Sequence, residues 1–201
     1  MKPTLFALLF ILTTAISLSA NAQRTYTPIT TSFSSSAYPS GTICNSCELV
    51  LSPGVTITIN STCACTNCTF VGGTIIIASG SNFTLSGVDS FVNENVQMNN
   101  SFPVPSGGVT FYGDTVAFNT AMSLTGGRTI LDSSRVSVNA ALTLDEGTFY
   151  KDSLHLNKNF TLNYSTDTIS TSNIDVANGV TITAAVTNVI NSTFGFAGNS
   201  K

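Results

Sequence analysis

The chain has 201 residues, of which 42% are hydrophobic and 8% charged, and a formal net charge of −3. That length suits one domain. The scattered basic residues Arg24, Arg128, Arg135, Lys151, Lys158 and Lys201 exclude a nucleic-acid groove, which needs clustered positive charge. The Val, Ile, Phe and Thr content excludes a disordered chain.

Residues 1–22 read as a signal peptide. Lys2 supplies the positive start, Leu5 to Leu18 an apolar run, and Ala20-Asn21-Ala22 a small-x-small cleavage site. The run is short for a membrane span, and no later stretch is long enough for one. The expectation is an exported protein, secreted or at the cell surface, that starts at Gln23 and has no membrane span after cleavage. Residues 23–42 are rich in Ser and Thr and read as a flexible leader or an irregular cap.

The five cysteines, Cys44, Cys47, Cys63, Cys65 and Cys68, fall in one short stretch. Cys44 to Cys65 and Cys47 to Cys68 each span 21 residues, close to the repeat period found further on. In an exported chain this spacing points to cross-coil disulfides Cys44–Cys65 and Cys47–Cys68, with Cys63 the odd thiol. Other pairings, and a metal site built from four of the cysteines, stay open.

From Pro53 onward the chain repeats with a period of about 20 residues, three short strands per repeat. First strands read Val55-Thr56-Ile57, Phe83-Thr84-Leu85, Phe102-Pro103-Val104, Met122-Ser123-Leu124, Leu142-Thr143-Leu144, Phe160-Thr161-Leu162 and Val180-Thr181-Ile182. One long step, between the first two of these, contains the second cysteine cluster. Second strands read Thr110-Phe111, Thr129-Ile130, Thr148-Phe149 and Thr168-Ile169. Third strands read Ile75-Ile76-Ile77, Val96-Gln97-Met98, Val116-Ala117-Phe118, Val136-Ser137-Val138, Leu154-His155-Leu156, Ile174-Asp175-Val176 and Phe194-Gly195-Phe196. The apolar–polar–apolar alternation is that of a strand with one buried face. Residues 43–201 thus form one stacked domain with a cysteine-rich first coil.

Four successive third strands are each followed by an asparagine, Asn99, Asn119, Asn139 and Asn157, which gives way to Ala177 and Ala197 in the last two. Stacked amides can hydrogen-bond coil to coil, and Asn tolerates a left-handed corner. The expected core columns are Phe83/Phe102/Met122/Leu142/Phe160/Val180, Phe111/Ile130/Phe149/Ile169 and Val96/Val116/Val136/Leu154/Ile174/Phe194.

Three strands per coil with an asparagine corner resemble the right-handed parallel β-helix of secreted bacterial proteins, the pectate-lyase-like solenoids, across roughly Val50 to Ala197. The resemblance implies an all-β solenoid whose coils share one core. It implies no single function, because that group includes polysaccharide lyases, hydrolases, adhesins and passenger domains.

Chemistry is sparse. Asp132 and Asp152 fall at one turn on successive coils, near Asp114, Thr171 and Asn191. Turn capping accounts for that column, with calcium the alternative. His155 sits between two leucines and faces outward; a Ser-His-Asp set cannot be argued from it without geometry. Arg128 and Arg135 flank Asp132, a thin match to lyase sites. An exposed threonine face is expected from Thr56, Thr58, Thr84, Thr143, Thr161, Thr181 and Thr183, similar to the ice-binding faces of some solenoids. The last strand meets no cap, so end-to-end association or a longer polypeptide is expected.

The expected function is a non-enzymatic adhesion or scaffold module, with no cofactor. Its expected partners are surface glycans, other proteins or further copies of itself. A carbohydrate-active lyase or hydrolase is the alternative, and ice binding a third reading.

Overall fold

The computed structural model describes residues 25–26, 32–33, 42–45, 48–51, 54–60, 62–102, 104, 106–164, 166–185 and 187–201. Among the described residues every regular element is a β-strand. The strands stack in parallel, rung on rung, about 20 residues apart. Ile75, Val96, Val116, Val136, Leu154, Ile174 and Phe194 follow one another in register. This is a parallel β-solenoid with three faces.

The second face is a nine-stranded sheet running from Thr25–Tyr26 to Thr187–Ile190. The third is a nine-stranded sheet from Ser32–Phe33 to Thr193–Phe196. The first face is split. Thr42–Asn45, Thr62–Thr66 and Asn82–Ser86 form one sheet. Met122–Leu124, Leu142–Leu144, Phe160–Leu162 and Ile182–Ala184 form another. Between the two, Phe102 and Val104 are buried within the sequence Phe-Pro-Val-Pro. Proline has no N–H to give a ladder.

The expected signal peptide lies outside the described residues. Parts of the leader add rungs of their own: Thr25 pairs with Glu48 on the second face, and Ser32 with Thr56 on the third.

Four expectations are corrected. Val55-Thr56-Ile57 is not a first strand: Thr56–Ile59 belongs to the third face and pairs with Thr74–Ile77. The true first strand is Thr62–Thr66, where Cys63 pairs with Phe83 and Cys65 with Leu85. The long step therefore vanishes. Both cysteines point inward and are buried, acting as small apolar side chains. On the second face Leu131, not Ile130, joins Phe111 and Phe149 in the core, and Ile130 pairs with Thr110 and Thr148 on the outer side. In the last coil Ile182, not Val180, is the partner of Phe160, although Val180 is also buried. The fourth correction concerns the corners.

Asn99, Asn119, Asn139 and Asn157 do not take left-handed backbone; on other coils Gly80, Gly179 and Gly198 take it at that corner. A left-handed column runs between the second and third faces, at Asn93 (φ 53°), Gly113 (67°), Ser133 (57°), Lys151 (56°), Thr171 (55°) and Asn191 (47°). Residues there take the conformation that suits Gly and Asn best. Each is followed by a polar residue, and Glu94, Asp114, Ser134, Asp152 and Ser172 are buried. All of these side chains but Glu94 accept a backbone N–H group from the preceding coil. Glu94 N donates to Asp114 Oδ1 (2.7 Å) and Asp114 N to Ser134 Oγ (3.2 Å). Ser134 N donates to Asp152 Oδ1 (2.7 Å) and Asp152 N to Ser172 Oγ (3.2 Å). The corner thus satisfies its own buried donors, as interiors require.

The core is continuous. Phe70, Phe91 and Phe111 stack with centroids 4.8 and 5.0 Å apart. Phe149 meets Phe160 edge-on at 5.8 Å. Such ring pairs add about 0.5–1.5 kcal/mol each beyond the area they bury.

Candidate functional site

The outward side of the third face holds the densest set of reactive groups. Val136, Val138, Leu154, Leu156, Ile174 and Val176 fill the inner positions. Alternation then turns Ser137, His155 and Asp175 outward. Ser137 pairs in register with His155, and His155 with Asp175. The three thus stand in line on successive rungs, about 4.7–4.9 Å from one to the next. Ser137 is half-exposed, His155 and Asp175 exposed. Among the described residues no hydrogen bond joins the three in this arrangement. His155 and Asp175 also line a shallow groove with Val176, Ala177, Gly195, Phe196 and Ala197. A Cβ on Gly195 would stand 3.0 Å from Asp175 Oδ1, so the glycine leaves that carboxylate its room.

The asparagine ladder is real and flanks this row two residues further along each strand. Asn119 Nδ2 donates to Asn99 Oδ1 (2.9 Å), Asn139 Nδ2 to Asn119 Oδ1 (2.9 Å), and Asn157 Nδ2 to Asn139 Oδ1 (2.8 Å). The chain of amides lies on the outside of the solenoid and stops where Ala177 follows.

The threonines do not form one array. Thr143, Thr161 and Thr183 stack on the first face below Ser123, giving one hydroxyl per rung. Thr84 lies on the same face, opposite Ala64, in the other sheet. Thr56 and Thr58 lie on the third face. Thr181 is exposed but precedes its strand, so it is out of register with Thr161. The second rank ends as Asp145, Asn163 and Ala185, with Asn163 Nδ2 donating to Asp145 Oδ1 at 3.0 Å.

The turn aspartates separate. Asp132 pairs with Tyr150, and Asp152 stands two positions beyond. Asp152 caps: Oδ1 takes the Ser134 N–H, and Oδ2 the Tyr150 N–H at 2.9 Å. Asp132 accepts the Ser133 hydroxyl at 2.9 Å. Arg128 donates twice to Thr148 Oγ1, at 3.3 and 3.0 Å. Burial pushes Asp152 up to about 7 against its two N–H donors, with Asp132 adding repulsion. Burial likewise raises Asp89 to about 6 against the Cys68 and Ser86 N–H groups. Asp114 rises to about 7, opposed by the Glu94 and Tyr112 N–H groups. Glu94 rises to about 8 from burial and then from Asp114, and neither of its carboxylate oxygens has a hydrogen-bond partner.

The cysteines meet inside the first face. Cys63 and Cys65 are buried, with Sγ atoms 3.9 Å apart. The Cys63 and Cys68 contacts and burial push the Cys65 thiol up, while its bond to Cys63 lowers Cys63. Cys44 is the register partner of Cys65, as the spacing expects. Cys65 is nevertheless a free thiol, and no disulfide is present among the described residues. Of the expected Cys47–Cys68 pair, Cys47 lies outside the described residues and Cys68 is buried. Among the described residues no three His, Cys, Asp or Glu side chains are grouped to hold a metal.

The second face adds an exposed row missed in the sequence. Tyr112, Asp132 and Tyr150 are register partners on successive rungs, with Tyr112 49% and Tyr150 40% exposed. The Lys151 ammonium lies 4.7 Å from the Tyr150 ring centroid. Tyrosine in the last position of these second strands was the available signal. For the Ser137 row it was the middle residue of the third strands.

No family model, curated protein or solved structure matches the chain.

Proposed function

We propose that the solenoid serves as an extracellular or cell-surface adhesion or scaffold module of an exported bacterial protein. The row of Tyr112, Asp132 and Tyr150 carries this reading. Exposed tyrosines held on a rigid sheet suit contact with a partner: each offers a large apolar ring and a polar tip at low entropic cost. The two rings stand two rungs apart, about 9.5 Å, with a carboxylate between them and Lys151 over the Tyr150 ring. That pattern fits a surface glycan, read by ring stacking and hydrogen bonds. The rest of the outer surface is largely Thr, Ser and Asn, which hydrates without attracting strongly charged partners.

The Cys44–Cys65 register supports an oxidisable cross-coil pair in the same module. Alkylation of the denatured chain without prior reduction would leave Cys65 unmodified if that bond forms and modify it if not.

The function is tested by binding the full chain to a panel of immobilised polysaccharides. Retention by at least one, lost in the Tyr112→Ala/Tyr150→Ala double variant, supports the reading. Release of reducing or unsaturated sugar ends above blank would replace it with the carbohydrate-active alternative.

A further inference from the structure

From the register of the third face we infer a hydrolytic site for small acyl esters, with Ser137 as nucleophile, His155 as general base and Asp175 as positioning residue. This goes beyond binding and uses a different face from the tyrosine row, so either can fail alone.

The order is what the chemistry needs. A serine hydroxyl is a weak nucleophile until an adjacent base takes its proton, and the base works best when a third group orients it. In this fold the middle rung carries the imidazole, with the hydroxyl on one side and the carboxylate on the other. Rungs about 4.7–4.9 Å apart place each pair within reach of a hydrogen bond by rotation about side-chain bonds. Catalytic hydrogen bonds of free enzymes are often long and tighten only with substrate. The three rungs cannot slide, because the residues on either side of each are core side chains.

Donors for a developing oxyanion stand beside the row. Asn139 and Asn157 follow Ser137 and His155 by two residues on the same outer side. Each amide uses one Nδ2 hydrogen in the ladder, which fixes its orientation. The second hydrogen is available to a ligand. Fixed donors of this kind are the main source of stabilisation in acyl transfer.

The reaction balances with water alone. The Ser137 oxygen bonds to the ester carbonyl carbon as its proton passes to His155. The bond to the leaving oxygen breaks, and the departing alcohol takes that proton. Water then attacks acyl-Ser137, giving one proton to His155. The acyl–serine bond breaks, Ser137 regains its proton, and a carboxylic acid departs. The sum is ester and water to acid and alcohol.

The test uses the full chain with p-nitrophenyl acetate and, separately, a fluorophosphonate probe read by peptide mass mapping. The probe is expected on Ser137 in the parent and not in His155→Ala. Ester turnover is expected to fall about 100-fold or more in Ser137→Ala and in His155→Ala. Asp175→Asn is expected to lower kcat while KM holds, which a general loosening of the face would not do. All three positions are outward, and matching thermal melts would show that the variants fold. Equal turnover by the parent and Ser137→Ala, or no label on Ser137, overturns the inference.

Discussion

Replacing Asp152 by Ser should flatten the pH dependence of stability. The position belongs to a corner column that already holds Ser134 and Ser172, and a serine hydroxyl there accepts the N–H one coil back. Asp152 does the same for Ser134, but its carboxyl is pushed from 3.8 to about 7 by burial. A raised carboxyl pKa means that the folded chain holds the proton more tightly than the unfolded one. The associated stability is complete below about pH 4, is lost as pH climbs toward 7, and changes no further above that. Roughly three pH units at about 1.4 kcal/mol each set a ceiling of about 4 kcal/mol; relaxation of the corner reduces this to about 2 kcal/mol. Serine also gives up the bond from Tyr150 N, about 1 kcal/mol at every pH. The variant should therefore be about 1 kcal/mol less stable than the parent at pH 4 and about 1 kcal/mol more stable at pH 8. Urea unfolding at pH 4, 6 and 8, with equal m values, measures the difference. Parallel stability curves for the two proteins would refute the argument.

Three other outcomes follow from particular contacts. Phe111→Ala removes a fully buried ring from the Phe70–Phe91–Phe111 stack and should cost about 3–5 kcal/mol in urea unfolding. Asn139→Ala breaks two ladder bonds at once; because they are exposed, the loss should be about 1 kcal/mol, no more than twice that of Asn99→Ala, which breaks one. Thr171→Asn places at φ 55° a residue that adopts the left-handed region readily, as Asn93 and Asn191 already do in that column. A gain of about 1 kcal/mol is expected in thermal or urea unfolding, and a loss would show that the threonine hydroxyl matters more than its backbone strain.

The solenoid was legible from the third strands. Val96, Val116, Val136, Leu154 and Ile174 are β-branched or aliphatic residues at a steady spacing, and each outward neighbour is polar or small. The asparagine ladder was legible for the same reason, although those four residues contribute their amides, not left-handed backbone. The early coils were harder. Cysteine at Cys63 and Cys65 reads as a staple, yet here it fills the core position that Phe83 and Leu85 fill one rung on. Thr129-Ile130-Leu131-Asp132 offers an apolar residue to either face, and only the register with Phe111 and Phe149 chooses Leu131. His155 was correctly read as outward. Its neighbours could not be weighed, because the steps to Ser137 and Asp175 differ by two residues and only backbone pairing brings them into line.

The corner acids change what the composition says about the surface. Asp89, Glu94, Asp114, Asp152 and Asp167 are all buried. What remains at or near the surface is Glu48, Asp132, Asp145, Glu146 and Asp175 against Arg128, Arg135, Lys151, Lys158 and Lys201. The described outer shell is thus close to electroneutral, although the sequence is that of an acidic protein. Its colloidal behaviour should be governed by hydration of hydroxyl and amide groups, with little response to ionic strength. On an ion-exchange column it should behave as a less acidic protein than its sequence pI of about 4.8 indicates.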